Sequence, residues 1–255
     1  MISKDDILKN FSKEDIEDVI KVYECMNIAY LKDIPTFTKF FCKPNIWMYF
    51  IKEFNSNNFS VKAECGLDEG DRKILSFNNI YSIPYPYKIL KISNSSKFNK
   101  LTHRDYLGAL MALGLERDKL GDLRVNDDYA IVPVYEELAD YICTELKLVN
   151  KAPVKVCEIF EEDLPKANFK EETIIIPSLR LDNFVSKLSN VSRGKAITLI
   201  DTNKVLVDYA KVKGKSQEIK ERQRITISGT GKFLVGNIMG NTKSGRYKIN
   251  IKKYI

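Results

Sequence analysis

Between residues 87 and 159 the chain alternates short apolar runs with two amphipathic stretches, in an order that few folds accommodate. Residues 87–92 alternate with the period of a strand, and 102–113 carry helical spacing. Two short β-type runs, 121–125 and 130–134, flank the turn Asn126-Asp127-Asp128; 135–146 is helical again and 154–159 forms a last strand. The spacing predicts β-α-β-β-α-β, a split βαβ plait with an antiparallel sheet and both helices on one face.

The first of these helices carries its own start signal. Thr102 can accept a hydrogen bond from the N–H three residues on, and Asp105 can reach back to the Thr102 N–H, a capping box with Asp in place of Glu or Gln. Leu107, Leu110 and Met111 then form an apolar stripe, and Gly114 suits a left-handed end. The only histidine of the chain, His103, opens the triplet His103-Arg104-Asp105. Protein kinases use these letters in their catalytic loop, but they also need an Asn five residues after the Asp, a Gly-rich phosphate loop and a DFG aspartate. Leu110 occupies the Asn position and the other two elements are missing, so the triplet reads as a helix start.

The fold class is therefore α+β, with a ferredoxin-like or RRM-like plait at its centre. An RRM carries stacking aromatics in its strands within a Lys/Arg-Gly-Phe type pattern. None is found, so the pattern does not require this plait to bind RNA through its sheet.

A chain of 255 residues with 44% hydrophobic and 29% charged composition is long enough for two or three small domains with cores of their own. The opening MISKDDILKNF is too acidic for a signal peptide and no apolar run reaches the eighteen or so residues of a membrane span, so a cytoplasmic protein without membrane attachment is expected. Cys25, Cys42, Cys65, Cys143 and Cys157 are widely spaced with no CxxC, which suggests buried thiols and neither a disulfide framework nor a metal site.

Charge is segregated. Residues 180–255 hold 17 Lys and Arg against 5 Asp and Glu, a net of +12, while the rest of the chain carries −5 within a total of +7. A positive field concentrated on one small domain is the electrostatic footprint of a polyanion binder.

On the N-terminal side, Ser12 is placed to cap a helix with Ile16, Val19, Ile20 and Tyr23 at helical spacing, and the cluster Phe37, Phe40, Phe41, Trp47, Tyr49, Phe50 and Phe54 reads as core. Residues 58–77 suggest strands or a loop-rich edge. The polar stretch EEDLPKANFKEET is the linker candidate. The expected domains are a mainly helical region 1–80, the plait 81–162, a linker 163–178 and a basic domain 179–255.

In the basic domain, Leu181, Phe184, Val185 and Leu188 have i, i+3, i+4, i+7 spacing, so Arg180-Leu181-Asp182 opens an amphipathic helix. Ser192 caps a second helix whose first turn holds Arg193, Gly194 and Lys195, with Ala196, Ile197 and Ile200 facing inward. Free N–H groups at a helix start, flanked by two cations, make a phosphate site. Short strands follow at 204–207, 211–212, 224–228 and 232–235, with basic residues at the turns. Arg180, Ser192, Arg193, Lys195, Lys204, Lys211, Lys213 and Lys232 are the candidate RNA-binding residues. His103 and Arg104 at one end of the plait helix, with Arg117 and Lys119 beyond its other end, are candidates for a second contact.

The order Arg180-Leu181-Asp182, Ser192-Arg193, Ala196, Leu199-Ile200, Val205, Val207, Ile225, Ile227, Gly229, Gly231, Phe233 resembles the S4-type RNA-binding domain, first recognised in a small-subunit ribosomal protein. Asn203 stands where that family usually has Gly, and Asp208-Tyr209 where it often has Asn-Gly, which predicts an altered hairpin beside a retained helical phosphate site. Together with HRDYLGALMALGLERDKLGDL, and with Gly70-Asp71-Arg72-Lys73 standing for an upstream Ala-Glu-Arg-Lys signature, the chain resembles the YlmH family of bacterial S4-domain proteins. The resemblance implies a non-enzymatic, monomeric, cytoplasmic factor that binds rRNA and tRNA on the large ribosomal subunit during ribosome-associated quality control of stalled translation. It implies no cofactor, no metal and no small-molecule substrate; a link to cell division, suggested by gene context in that family, weighs less.

The competing reading is an RNA-modifying enzyme of the pseudouridine synthase type, because S4-type domains often precede such domains and Arg180-Leu181-Asp182 has the letters of their nucleophile motif. Those letters lie on the first helix of the binding module, and the residues after Leu179 are used up by that module.

Overall fold

The computed structural model describes residues 3–67, 70–96, 99–165, 169–212 and 214–254. It divides into two compact units, Met1–Pro165 and Lys166–Ile255. No helix of the described residues is long and apolar enough to cross a membrane.

The first unit opens with α1 (Lys4–Leu8), α2 (Ile16–Lys32), β1 (Thr36–Phe37), α3 (Pro44–Phe54), β2 (Val61–Glu64) and β3 (Ile74–Phe77). Ser12 precedes a 3-10 turn, Lys13–Asp15, and its hydroxyl binds the Asp15 side chain rather than a backbone N–H. The buried stripe of α2 is Val19, Val22, Met26 and Ala29; Ile16, Ile20 and Tyr23 are only half-buried, so the inward face is turned from the one expected. The aromatic cluster is core as expected, with Phe40 and Phe50 buried beside Phe77. Helices supply most of the region's regular structure, and β1, β3 and β2 add an antiparallel three-stranded sheet in that order.

The plait follows as β4 (Tyr87–Asn94), α4 (His103–Ala112), β5 (Arg124–Val125), β6 (Tyr129–Tyr135), α5 (Ala139–Glu145), β7 (Leu148–Val149) and β8 (Ala152–Ile159). Its sheet runs β5-β6-β4-β8-β7 with every pairing antiparallel, the strand order of a split βαβ plait extended by the unforeseen edge strand β7. Leu90, Ile92, Val132 and Val134 on one face pack with Tyr106 and Leu110 of α4 and Ala139 and Ile142 of α5. Tyr106 takes the place expected of Met111, which is exposed. The Thr102–Asp105 capping box is formed in both directions, and Gly114 adopts φ +81° after the helix. On the other face Ile89 and Ile131 pack against Cys65, Leu67 and Leu164, so half of the sheet surface that an RRM leaves open is covered.

The two unit-1 stretches that carry the YlmH resemblance meet in space. Asp122, near the end of the 103–123 motif, accepts the backbone N–H groups of Asp71 and Arg72, the latter at 2.9 Å, and the Trp47 indole donates to the Asp71 carbonyl at 2.8 Å. Both motifs therefore include residues that join the N-terminal lobe to the plait. Cys42 and Cys65 are buried as expected of thiols, but Cys157 is exposed on β8, because its side chain alternates onto the uncovered half of the sheet.

The second unit holds β9 (Phe169–Ile176), α6 (Leu181–Leu188), α7 (Arg193–Asp201), β10 (Val205–Val207), β11 (Ala210–Lys211), β12 (Arg224–Ile227), β13 (Gly231–Asn241) and β14 (Tyr247–Tyr254). Its antiparallel sheet has the order β11-β10-β12-β13-β14-β9. The expected linker 163–178 is thus corrected: half of it is an edge strand paired residue by residue with β14, burying Ile174 and Ile176 opposite Ile249 and neighbouring Tyr247. Burial of alternate isoleucines outweighs the polar composition of residues 170–173. Phe184 and Val185 of α6 and Ala196 and Ile200 of α7 close the core against Ile225, Ile227, Phe233, Val235 and Ile251.

Candidate RNA-binding surface

The start of α7 is built by three local devices. Ser192 caps it, its hydroxyl accepting the Lys195 N–H at 3.3 Å. Gly194 has open space where a Cβ would stand, so no side chain at that position shields the uncapped N–H groups of the first turn. Ser192, Arg193, Gly194 and Lys195 are all exposed.

Asp182 sets the geometry beside that helix start. Its side chain is fully buried at 0% exposure, yet it receives two guanidinium groups. Arg180 donates through Nε to Oδ1 at 3.2 Å and through Nη2 to Oδ2 at 3.1 Å. Arg193 donates through Nε and Nη2 to Oδ2 at 3.0 and 2.8 Å. Burial alone would push this carboxyl up, but the hydrogen bonds and charges of Arg180 and Arg193 outweigh it and hold it below the usual carboxylate range. One anion against two cations leaves a net positive edge, and Arg193 keeps 58% of its side-chain surface in solvent. The bond between Asp182 and Arg193, eleven residues away on the next helix, has no signal in sequence spacing.

The eight candidates do not form one site. Arg180, Ser192, Arg193 and Lys195 cluster at the helical layer. Lys204 is exposed where α7 gives way to β10, and its carbonyl accepts the Ser228 N–H at 2.9 Å. Lys211 and Lys232 instead belong to one cross-strand row, Lys211-Leu206-Thr226-Lys232, which faces away from the helices because the alternate row, Val205, Ile225, Ile227 and Phe233, fills the core. Arg224, which the sequence reading did not single out, shares that outer face, with its guanidinium 5.2 Å from the Tyr209 ring centre. Lys213 lies outside the described residues.

The departures from the S4 pattern are accommodated by backbone conformation. Asn203 takes φ +56° after α7, and Asp208 and Tyr209 take +47° and +63° at the tip of the β10–β11 hairpin. Asp208 fixes that tip by accepting the Arg224 N–H at 2.8 Å and the Gln223 amide at 2.7 Å. Asn and Asp visit this region at modest cost, and two consecutive left-handed residues match the twist of a tight hairpin.

The second-contact candidates separate. His103 and Arg104 are exposed on the first turn of α4. Arg117 donates to the carbonyls of Leu120 and Gly121 at 2.7 and 3.1 Å, and burial lowers its pKa. Lys119 donates to the Lys39 carbonyl at 2.7 Å and lies over the Tyr135 ring. These two cations hold the loop after α4 and are not brought together with His103 and Arg104.

Residues 82–163, which contain the whole plait, match a family model described as "Putative RNA-binding domain in YlmH". The chain is YlmH-like. Over 194 residues, 74% of this YlmH-like chain and 76% of the relative, it is 28% identical to "Ribosome-associated protein quality control protein P2" of Bacillus subtilis (strain 168). Among solved structures, "Cell division protein ylmH from Streptococcus pneumoniae" superposes with a TM-score of 0.48 at 22% identity, covering 61% of this chain and 97% of that one.

Proposed function

We propose that the protein is a non-enzymatic RNA-binding factor that engages rRNA and tRNA on the large ribosomal subunit, within ribosome-associated quality control of stalled translation. It acts as a cytoplasmic monomer and needs no cofactor. Its second unit serves as an S4-type RNA-binding module, starting at the β9 strand, and the plait and N-terminal lobe make up the first unit. The observation that carries this reading is the Asp182-organised pair Arg180 and Arg193 beside the open start of α7, within a segment of net charge +12. Exposed N–H donors, a fixed guanidinium and Lys195 give phosphate oxygens both charge and geometry. The relative named for ribosome-associated quality control and the family model named for RNA binding support the same role.

The pseudouridine synthase reading is disfavoured by Asp182 itself. A nucleophile must reach a substrate base, whereas this carboxylate is fully buried and both its oxygens accept hydrogen bonds from arginines. Binding of the Arg193→Glu/Lys195→Glu variant to purified large subunits tests the proposal: at least a tenfold loss is expected at physiological salt, and an unchanged affinity would refute it.

A further inference from the structure

The loop between β3 and β4 is rigid, strained and apolar on its outside. Asn79 is buried and clasps Ile83 from both sides, its Nδ2 donating to the Ile83 carbonyl and its Oδ1 accepting the Ile83 N–H, each at 2.9 Å. Asn78 anchors the loop by donating to Asp33 at 2.8 Å. Asn78 and Ser82 both take left-handed φ values, +54° and +53°, a conformation that serine holds only where its surroundings impose it. The clasp leaves Ile80 64% and Tyr81 75% exposed, and Phe160, just after β8, is 70% exposed. Single exposed apolar residues are ordinary. Two of them on a loop held by half-buried side-chain hydrogen bonds, and a third after β8 that lines the depression flanking this loop, mark an interaction surface.

The depression is a cavity of about 360 Å³ walled by Ile83, Tyr85, Tyr87 and Phe160, with Glu64 and Glu161 among its lining. The two tyrosine rings lie 6.3 Å apart. Tyr87 donates to Glu161 at 2.6 Å, and the Tyr85 hydroxyl is 2.7 Å from Ser76 Oγ. Lys88 is neutralised by Glu158 at 2.7 Å, so Glu64 and Glu161 outweigh Lys62 and the lining is net negative. Aromatic faces with carboxylates recognise a cation, and this charge repels a phosphate backbone.

We infer that this depression receives an arginine or lysine side chain of a basic partner protein, with Ile80, Tyr81 and Phe160 packing on apolar residues beside it. The inference is independent of the RNA-binding reading. Burial and the Glu161 charge push the Glu64 carboxyl up, a repulsion that an incoming cation relieves. Burial pushes Tyr85 up to about 12, which keeps its phenol a neutral hydrogen-bonding wall.

The test uses the full chain in NMR titrations read at the Tyr85 and Tyr87 rings and the Ile83 methyl groups. The probes are the peptide acetyl-Leu-Arg-Leu-Arg-amide, its counterpart with citrulline at both arginines, and a ten-uridine RNA. The arginine peptide is expected to saturate in the millimolar range and the citrulline peptide to bind about tenfold more weakly, a factor worth ~1.4 kcal/mol. Glu64→Gln/Glu161→Gln is expected to weaken the arginine peptide at least fivefold. Tyr81→Ser, a surface change that leaves the fold intact, weakens both peptides alike and preserves the arginine preference. Equal binding of the two peptides, no saturable shift up to roughly 10 mM, or uridine RNA moving the same resonances at lower concentration would each overturn the inference.

Discussion

Arg193 donates to Asp182 through Nη2 at 2.8 Å and through Nε at 3.0 Å, so an arginine side chain more than half in solvent is fastened to a carboxylate side chain with no solvent exposure. A flexible arginine loses rotamer freedom whenever it grips a phosphate. Fixing it in advance on a buried anchor reduces that loss, and sharing the anchor with Arg180 keeps the edge positive.

Removing the anchor separates positioning from charge. Asp182→Ala adds +1 to the module, so charge alone would tighten RNA binding, whereas loss of orientation weakens it. The expected outcome is weaker binding, by about three- to tenfold, with a stability loss of about 1–3 kcal/mol, held below the cost of a fully buried pair because both arginines can hydrate. Fluorescence anisotropy with an rRNA fragment and urea denaturation measure the two effects; tighter binding would show that Arg193 needs no positioning.

The same carboxylate sets an acid limit. Its folded pKa lies below the unfolded value near 4, so the stability it contributes is present above that value and is lost as pH falls through the lower, folded pKa. Denaturation midpoints of the wild type should be insensitive to this group from pH 7 to about 5 and fall below about 4. In Asp182→Asn the drop in that acid window should be shallower, which a pH series of urea melts would register.

The two faces of the second unit make different demands on RNA. If the helical layer holds the phosphates, Arg193→Ala/Lys195→Ala should lower the salt slope of RNA binding by about two units, roughly one per lost contact. Lys211→Ala/Lys232→Ala, in the outward row of the sheet, should change it by less than about one unit. The reverse order would move the RNA to the open sheet face.

Much of this was legible in the sequence. Period-2 and period-3.6 patterns located β4, α4, β6, α5, β8, α6 and α7, because each buries one face and the pattern records which residues it buries. The Thr102 box and the Ser192 cap were legible because a cap is a local bond between residues three apart. The edge strand β9 and its partner β14 were not legible. Residues 170–172 are polar on both faces at the rim of the sheet, and their pairing with 251–253 spans some eighty residues. The carbonyl partners of Arg117 and Lys119 were not legible for a related reason: spacing shows that a cation follows a helix, not which carbonyls it will bind. The cation-binding depression unites residues from β2, the 79–84 loop, β4 and the end of β8, and no motif spans them.

The last prediction concerns how many points of contact the chain makes. Of the second-contact candidates, His103 and Arg104 stand exposed on the first turn of α4, where the helix dipole and free N–H groups favour an anion. If that turn touches ribosomal RNA, the chain grips at two places and its affinity exceeds that of either part through effective concentration. The comparison needs a fragment that folds, and the structure sets its limits: residues 166–255 retain β9, whereas 179–255 strip the partner from β14 and leave Ile249 without Ile174 beside it. Binding of large subunits by the full chain should exceed that of 166–255 by at least tenfold, and Arg104→Glu in the full chain should remove most of the difference. Fragment 179–255 should melt at a lower temperature or fail to fold. Equal affinities for the full chain, for 166–255 and for Arg104→Glu would reduce the His103-Arg104-Asp105 triplet to what its capping box already explains, the start of a helix.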